Sequence, residues 1–554
     1  MRFVQRSFLA LSTLVGVLAG APLLHAQRAP TPDARVAAAI RGDVLWAHEK
    51  FLADDLLEGR GTGTRGAELA ARYIASQFMA LGLEPAGDSG TYFHQVPIVS
   101  LTPAATLDVT AGVPARALRF REDFVAWAER PESSVTAAGE LVFVGFGITA
   151  PEWQWDDFKG TDVRGKILLM LVNDPGLRNA DIFRGRILTY YGRWTYKLEE
   201  AARQGAAGVL FIHNDTMATY GWSTVVNSWT GDQVQLERAP ASLVFGGWIQ
   251  QAAAAGLLRA RGLDLARLMA QAARRDFRPV ATGIELSVAV RSALRRTTTT
   301  NVVGRIPGSD QALHDETVLI TAHYDHLGIG APVNGDSIMN GAVDNASGVA
   351  TILAVADAFV RSGVRARRSL VFVGFTAEEK GLLGSAAFAE RPPIPPALLA
   401  AVLNLDPANL RGATHDIAAL GTDQSSLGRA FERAARAERL RVTVDSLALL
   451  HGSFFRSDHF PLARIGVPGL SFESGSDFVG RPAGWGEEQA TAYTRDRYHQ
   501  PGDELLPWYT PDGALQQARV LARTALMVGN ATGQPTWNAT SEFRAAGERR
   551  AGAR

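Results

Sequence analysis

The chain has 554 residues, too many for one hydrophobic core, and 46% hydrophobic against 20% charged residues marks folded domains rather than disorder. Lys plus Arg and Asp plus Glu are both 56, which leaves no electrostatic footprint for nucleic acid or a membrane surface. Cysteine is absent, so disulfides and thiolate metal sites are excluded and His, Asp and Glu remain as possible ligands.

In chain order, Arg2 and Arg6 precede the apolar run Phe8–Ala19, and Leu24-His25-Ala26 offers a cleavage site before Gln27. Residues 1–26 read as an export signal, with the mature protein secreted or periplasmic. The apolar run is short for a membrane span, so no membrane attachment is expected after cleavage. Residues 27–41 read as a loose leader, and 27–100 as a helical opening to the main domain. Two amphipathic helical patterns flank the Gly-rich turn Glu58–Gly66; the second runs Ala67–Met79 and stops at Gly82.

From about 101 to 295 short β-branched runs alternate with turns: Glu140–Phe146, Lys166–Val172 and Gly208–His213, with a helix at Tyr196–Gln204. This reads as a β-rich insertion, and nothing in it looks catalytic. Val163–Leu171 followed by Ala201–Ile212 resembles the protease-associated domain, which would occupy about 135–265. The Arg- and Thr-rich stretch Arg295–Thr300 reads as a linker. Over 296–536 the pattern becomes strand, helix, strand, helix: Thr317–Ala322, Val349–Val360, Leu370–Phe375, with further strands at Ala401–Leu405 and Gly469–Phe472. Such alternation predicts an α/β fold, a mixed, mostly parallel central sheet flanked by helices. The Ala-, Gly- and Arg-rich end, 537–554, is expected to be disordered.

Acidic and histidine clusters stand immediately after predicted strands: His323-Tyr-Asp-His326 after 318–322, Glu378-Glu379 after 371–376, and Asp406 after 402–405. Asp344-Asn-Ala-Ser opens the helix near Val349. Each has an ordinary reading taken singly, as a buried histidine, a helix N-cap, a solvated helix start or a turn. Sites in open α/β sheets form at the carboxyl ends of strands, however, so these residues should meet in one crevice.

The joint pattern resembles the M28 family of metallopeptidases. It is carried by His323–Gly328, Gly341–Gly348, Phe375–Ser385, Asn404–Asp406, Ser457–Phe460 and Tyr498–Asp503. The resemblance implies an exopeptidase acting on peptides with two zinc ions, for which cobalt or manganese could substitute. It gives His323 and Asp406 to one ion, Glu379 and His499 to the other, and Asp344 to both. A shared anion of that kind offsets the repulsion of ions about 3.5–4 Å apart. Asp325, two residues from His323, is expected to accept the second ring proton of that ligand and fix its tautomer. Glu378 is implied as general base for a water shared by the two ions, and Tyr498 as support for the oxyanion. The resemblance also implies a cis peptide bond between Asp344 and Asn345.

The leading expectation is removal of the N-terminal residue of peptides. An aminopeptidase needs an acidic partner for the free amine, with Asp477, Glu487 and Glu488 as candidates; a carboxypeptidase needs a cationic clamp, with Arg456 or Arg481. Phe454, Phe455 and Trp485 are candidates for an apolar pocket. A non-enzymatic scaffold and a single-zinc aminoacyl cyclase are the alternatives from other classes. Oligomeric state and side-chain preference are left open by the sequence.

Overall fold

The computed structural model describes residues 30–114, 116–218, 221–237 and 243–553. The expected export signal lies outside the described residues. The leader is partly ordered: Pro32–Ala39 (α1) is a helix whose Val36 is buried and whose Asp33 pairs with Arg523. Proline and an acidic residue in the first turn suit a helix start. Gly42–Leu52 (α2) and Arg65–Ala80 (α3) follow, on either side of the Gly-rich turn.

Two very long strands then organise the molecule. Phe93–Ala111 (β1) leaves the main domain, and the chain runs through Phe124–Ala128 (β2), Ser134–Phe143 (β3), Ile167–Leu171 (β4), the helix Trp194–Arg203 (α4), Gly208–His213 (β5) and Phe245–Gln250 (β6). It returns along Val280–Ile306 (β7), which pairs antiparallel with β1 from Glu285↔Ala111 to Val302↔Phe93. The stretch Arg295–Thr300 is therefore ladder, not linker. Its Arg and Thr side chains are exposed or half-buried apart from Thr299, which is buried, and Arg295 faces Ser100 across the pair. Within the insertion β3, β4, β5 and β6 run parallel, with β2 antiparallel at the edge, around a separate core that includes Phe143, Leu169, Phe211 and Trp248.

The main domain continues with Thr317–His323 (β8), Ser347–Ser362 (α5), Ser369–Phe375 (β9), Leu399–Leu405 (β10), Asp416–Leu420 (β11), Gly469–Ser474 (β12), Asp512–Asn530 (α6) and Arg544–Gly552 (α7). Hydrogen-bonded order across the sheet is β11, β12, β10, β8, β9, β7, then β3, β4, β5, β6, β2. The four central strands β12, β10, β8 and β9 are parallel, while β11 and β7 flank them antiparallel. This is the mixed, mostly parallel sheet the sequence predicts. Val318, Ile320 and Phe372 face one core and Leu319, Val371 and Val373 the other, which explains why these strands read as unbroken apolar runs. Among the described residues one helical stretch, Ala342–Ser362, is long and apolar enough to cross a membrane, and it is buried inside the fold.

The carboxyl-terminal segment is ordered rather than frayed. Trp537 and Phe543 pack with Phe454, Phe455 and Phe460, and Arg550 is buried, donating to the carbonyls of Gly466 and Leu399 at 2.9 and 2.6 Å. Two aromatic residues spaced along a polar segment supplied the anchorage that its Ala, Gly and Arg content concealed.

Candidate metal centre

The carboxyl ends of β8, β9 and β10 point the same way, and the loop before α5 crosses above them. His323 is the last residue of β8, Asp406 follows β10, and Glu378 and Glu379 follow β9. His323 Nε2 lies 3.1 Å from Asp406 Oδ1 and 3.2 Å from Asp344 Oδ1. His499 Nε2 lies 3.4 Å from Asp344 Oδ2 and 3.1 Å from Glu379 Oε2. All five residues that the sequence nominates as ligands thus converge, with the two oxygens of Asp344 turned to opposite partners.

The donor set fits divalent cations. Two groups, His323–Asp344–Asp406 and His326–Asp344–Glu379, each bring three ligand atoms within 4.8 Å of one another, and both include Asp344. Imidazole nitrogens and carboxylate oxygens without thiolate suit zinc. Enclosed carboxylates at this density are costly without a cation between them. His326 is the addition: it stands in the same motif as His323, three residues on, and no role was assigned to it. Its Nδ1 lies 2.6 Å from Glu379 Oε1, and its buried Nε2 has no hydrogen-bond partner.

The surrounding hydrogen bonds fix these side chains. Asp503 accepts from the backbone N–H of Val343 at 3.1 Å, that of Asp344 at 3.0 Å and the Tyr493 hydroxyl at 3.1 Å, so one buried carboxylate clamps the loop carrying Asp344. The Asp344–Asn345 peptide bond is cis, as expected, and so is Asp406–Pro407. Gly341 turns into this loop at φ +56°, where a Cβ would sit 2.3 Å from the carbonyl oxygen of Asp344. Asp406 is held through a relay: Thr321 donates to Asn404, Asn404 to Ser457, and Ser457 to Asp406 Oδ2 at 2.6 Å. Buried Arg60 donates to the carbonyls of Tyr324, Asn340 and Gly341 at 2.6–2.8 Å, tying the Gly-rich turn to the loops of the site.

Asp325 does not take the expected position. His323 Nδ1 lies 3.1 Å from the backbone oxygen of Asp325, whereas its carboxylate is 3.9 Å away, beyond a hydrogen bond. The strand ends at His323, so the same-face geometry assumed from alternation no longer holds at Asp325. Its carboxylate instead accepts from Thr62 at 2.8 Å and from the Glu378 N–H at 3.1 Å. It therefore positions the segment that carries Glu378.

A cavity of about 380 Å³ opens over the centre, with Asp344, Glu378, Asp406, Tyr498, Arg456 and Glu473 among its walls. Burial, with the charges of Asp406, Glu379 and Asp458, pushes Glu378 well above the ordinary glutamate value against the pull of His323. Burial also acts to raise Asp344, but hydrogen bonds from His323 and His499 outweigh it and hold that carboxyl well below the usual range. Tyr498 stacks on His499 with ring centroids 3.8 Å apart.

The other candidates are dispersed. Asp477 pairs with Arg441, Arg481 lies over the Trp485 ring, and Glu487 and Glu488 do not line the cavity. Phe454 and Phe455 are buried in an aromatic cluster under the tail, and Trp485 packs on Phe478. Of the charged candidates for the substrate termini, Arg456 alone reaches the cavity. Glu473, Asp503 and Ser457 went unassigned. Glu473 carried no signal beyond an acidic residue at a strand end, whereas Asp503 and Ser457 stood inside motifs already noted.

Residues 301–524 match Peptidase family M28. A "Probable zinc metalloprotease" of Pyrenophora tritici-repentis is 28% identical over 267 residues, 43% of this chain and 58% of that protein. "Aminopeptidase YwaD" of Bacillus subtilis is 27% identical over 235 residues, 42% of this chain and 45% of that protein. The chain thus spans about half the length of the curated relatives it matches. The solved structure of an aminopeptidase from Aneurinibacillus sp. strain AM-1 is 21% identical and covers 89% of this chain and 95% of its own, with a TM-score of 0.45.

Proposed function

We propose, from the match of residues 301–524 to Peptidase family M28, that the chain is a zinc-dependent exopeptidase that removes the N-terminal residue of peptides. The observation that carries this reading is Asp344, shared by two donor groups, with Glu378 facing the cavity beside them. The similarity to a probable zinc metalloprotease and to an aminopeptidase supports the same class.

His323 and Asp406 would hold one ion, Glu379 with His499 or His326 the other, and Asp344 both. Zinc bound there supplies Lewis-acid polarisation of the scissile carbonyl and acidifies water. Glu378 receives the proton of the attacking water and delivers it to the leaving amine, which its free carboxylate beside the cavity allows. Tyr498 offers its hydroxyl to the developing oxyanion. Export to the periplasm or beyond, and a substrate-positioning role for the inserted module, complete the reading.

A carboxypeptidase is the second reading, because Arg456 lines the cavity and could clamp a substrate carboxylate. A panel of aminoacyl and carboxy-terminal reporter substrates, assayed with and without chelator, decides between them. The expected result is cleavage of free-amine aminoacyl reporters, loss on chelation and recovery with zinc, at about two zinc ions per chain. Cleavage of the carboxy-terminal reporters alone would establish the second reading. One ion per chain would favour a cyclase, and none a scaffold.

A further inference from the structure

We propose that Glu473 and Asp445 close a pocket beside the metal centre for a cationic side chain, so that peptides beginning with Lys or Arg are the preferred substrates. This inference rests on the exopeptidase reading and adds the substrate class. The register of the sheet places the pocket. Strands β10 and β12 pair in parallel up to Asn404↔Ser471 and Leu405↔Phe472, and one residue further along each stand Asp406 and Glu473. Adjacent strands lie about 4.8 Å apart, so Glu473 sits one strand over from a residue of the centre itself. Ser471 and Glu473 share a face of β12, and both line the cavity.

The carboxylate of Glu473 forms no hydrogen bond or ion pair among the described residues. It is enclosed by the protein, and what remains open of it faces the cavity. Enclosed carboxylates are ordinarily paired, because leaving the charge uncompensated is costly. Asp445 adds a second acid; it caps the helix Ser446–Leu450 by accepting from the Ala448 N–H at 2.9 Å and lines the same cavity. Leu420, Leu447 and Ala448 add apolar surface to the same cavity, beside the polar His451 and Ser453. Apolar wall atoms leading to two carboxylates suit a side chain with a methylene stem and a charged tip. Arg456, the arginine in this wall, is solvent-exposed and makes no ion pair with Glu473.

The test compares kcat/KM for Lys-, Arg- and Leu-4-nitroanilide with zinc-loaded wild-type, Glu473→Gln and Asp445→Asn proteins. The wild type is expected to favour Lys and Arg, and Glu473→Gln to raise KM for these by about 10–100-fold while leaving Leu unchanged. Asp445→Asn keeps the helix cap and gives a smaller effect in the same direction. Equal use of the three substrates by the wild type, with no change in either variant, overturns the proposal. So does an equal rise in KM for all three in Glu473→Gln, which would assign that residue to the α-ammonium instead. Zinc content and melting temperature verify that the variants fold. If no reporter is cleaved, the exopeptidase reading fails separately. Calorimetric binding of lysinamide against leucinamide then tests the pocket alone, with tighter lysinamide binding that Glu473→Gln abolishes as the supporting result.

Discussion

At the scale of single residues, neighbouring carboxylates divide the work by where the backbone aims them. Glu379 turns toward His326 and His499, whereas Glu378 faces the cavity and its N–H is fixed by Asp325. Glu378→Gln is therefore expected to retain the wild-type zinc content while kcat falls about 10²–10⁴-fold, measured by metal analysis and steady-state rates on one preparation. Unchanged turnover would remove Glu378 from the proton-transfer role. Asp344→Ala should lose metal and activity together, because both donor groups include that carboxylate. Asp503→Ala leaves two loop N–H groups without their acceptor, and a 10–100-fold weaker zinc affinity is the expected magnitude for a support of this kind. Competition with a zinc indicator reads it directly; unaltered affinity would mean that the loop holds Asp344 without the clamp.

At the scale of elements, the carboxyl-terminal segment behaves as a strap. Trp537 donates its indole N–H to Gly466 at 3.0 Å, and Phe543 fills the aromatic cluster beside Phe454. Trp537→Ala is expected to cost about 3–5 kcal/mol in denaturant unfolding, as truncation of a buried aromatic residue does. A change below about 0.5 kcal/mol would show that the strap is not part of the cooperative fold. The same segment predicts a pH dependence. Burial pushes Glu542 up to about 8, from an ordinary 4.5, although it accepts from the Tyr190 N–H and lies near Arg184. The folded state binds this proton more tightly than the unfolded chain. Its contribution is thus present below about pH 4.5 and is lost as pH rises through about 8. Since Glu542 keeps part of its surface in solvent, the loss should be about 1–2 kcal/mol, and Glu542→Gln should flatten the profile across this window. An identical profile in the variant would exclude the effect.

At the scale of the whole molecule, the insertion is carried on the long β1/β7 ribbon, and it has its own core. It also touches the main domain through Tyr190 against Phe460 and through the pairs Arg184–Asp423 and Arg464–Glu199. Because Leu107 faces Val288 across the ribbon, residues 108–287 can be replaced by an Asn-Gly turn without altering the register. The shortened protein is expected to bind zinc with unchanged stoichiometry while melting at a lower temperature, since Phe460 loses its cover. Loss of metal binding would instead make the insertion part of the centre's support.

The amino-acid sequence determined the parallel core and most of the metal centre. Apolar runs of five to seven residues alternating with helical patterns read as strands covered on both faces, and acidic or histidine clusters at their carboxyl ends converge at one edge. Tertiary structure decided what depends on contacts remote in sequence. The Asp325 carboxylate lost the His323 proton to its own backbone carbonyl once the strand ended. Asp503 became a clamp by folding back more than a hundred residues, and Glu473 reached the cavity through the register of β12 on β10. The ladder at Arg295–Thr300 and the docked tail were hidden for the same reason. Local composition reports solvent preference, whereas pairing with β1 and burial of two aromatic rings are properties of partners that the local sequence does not contain.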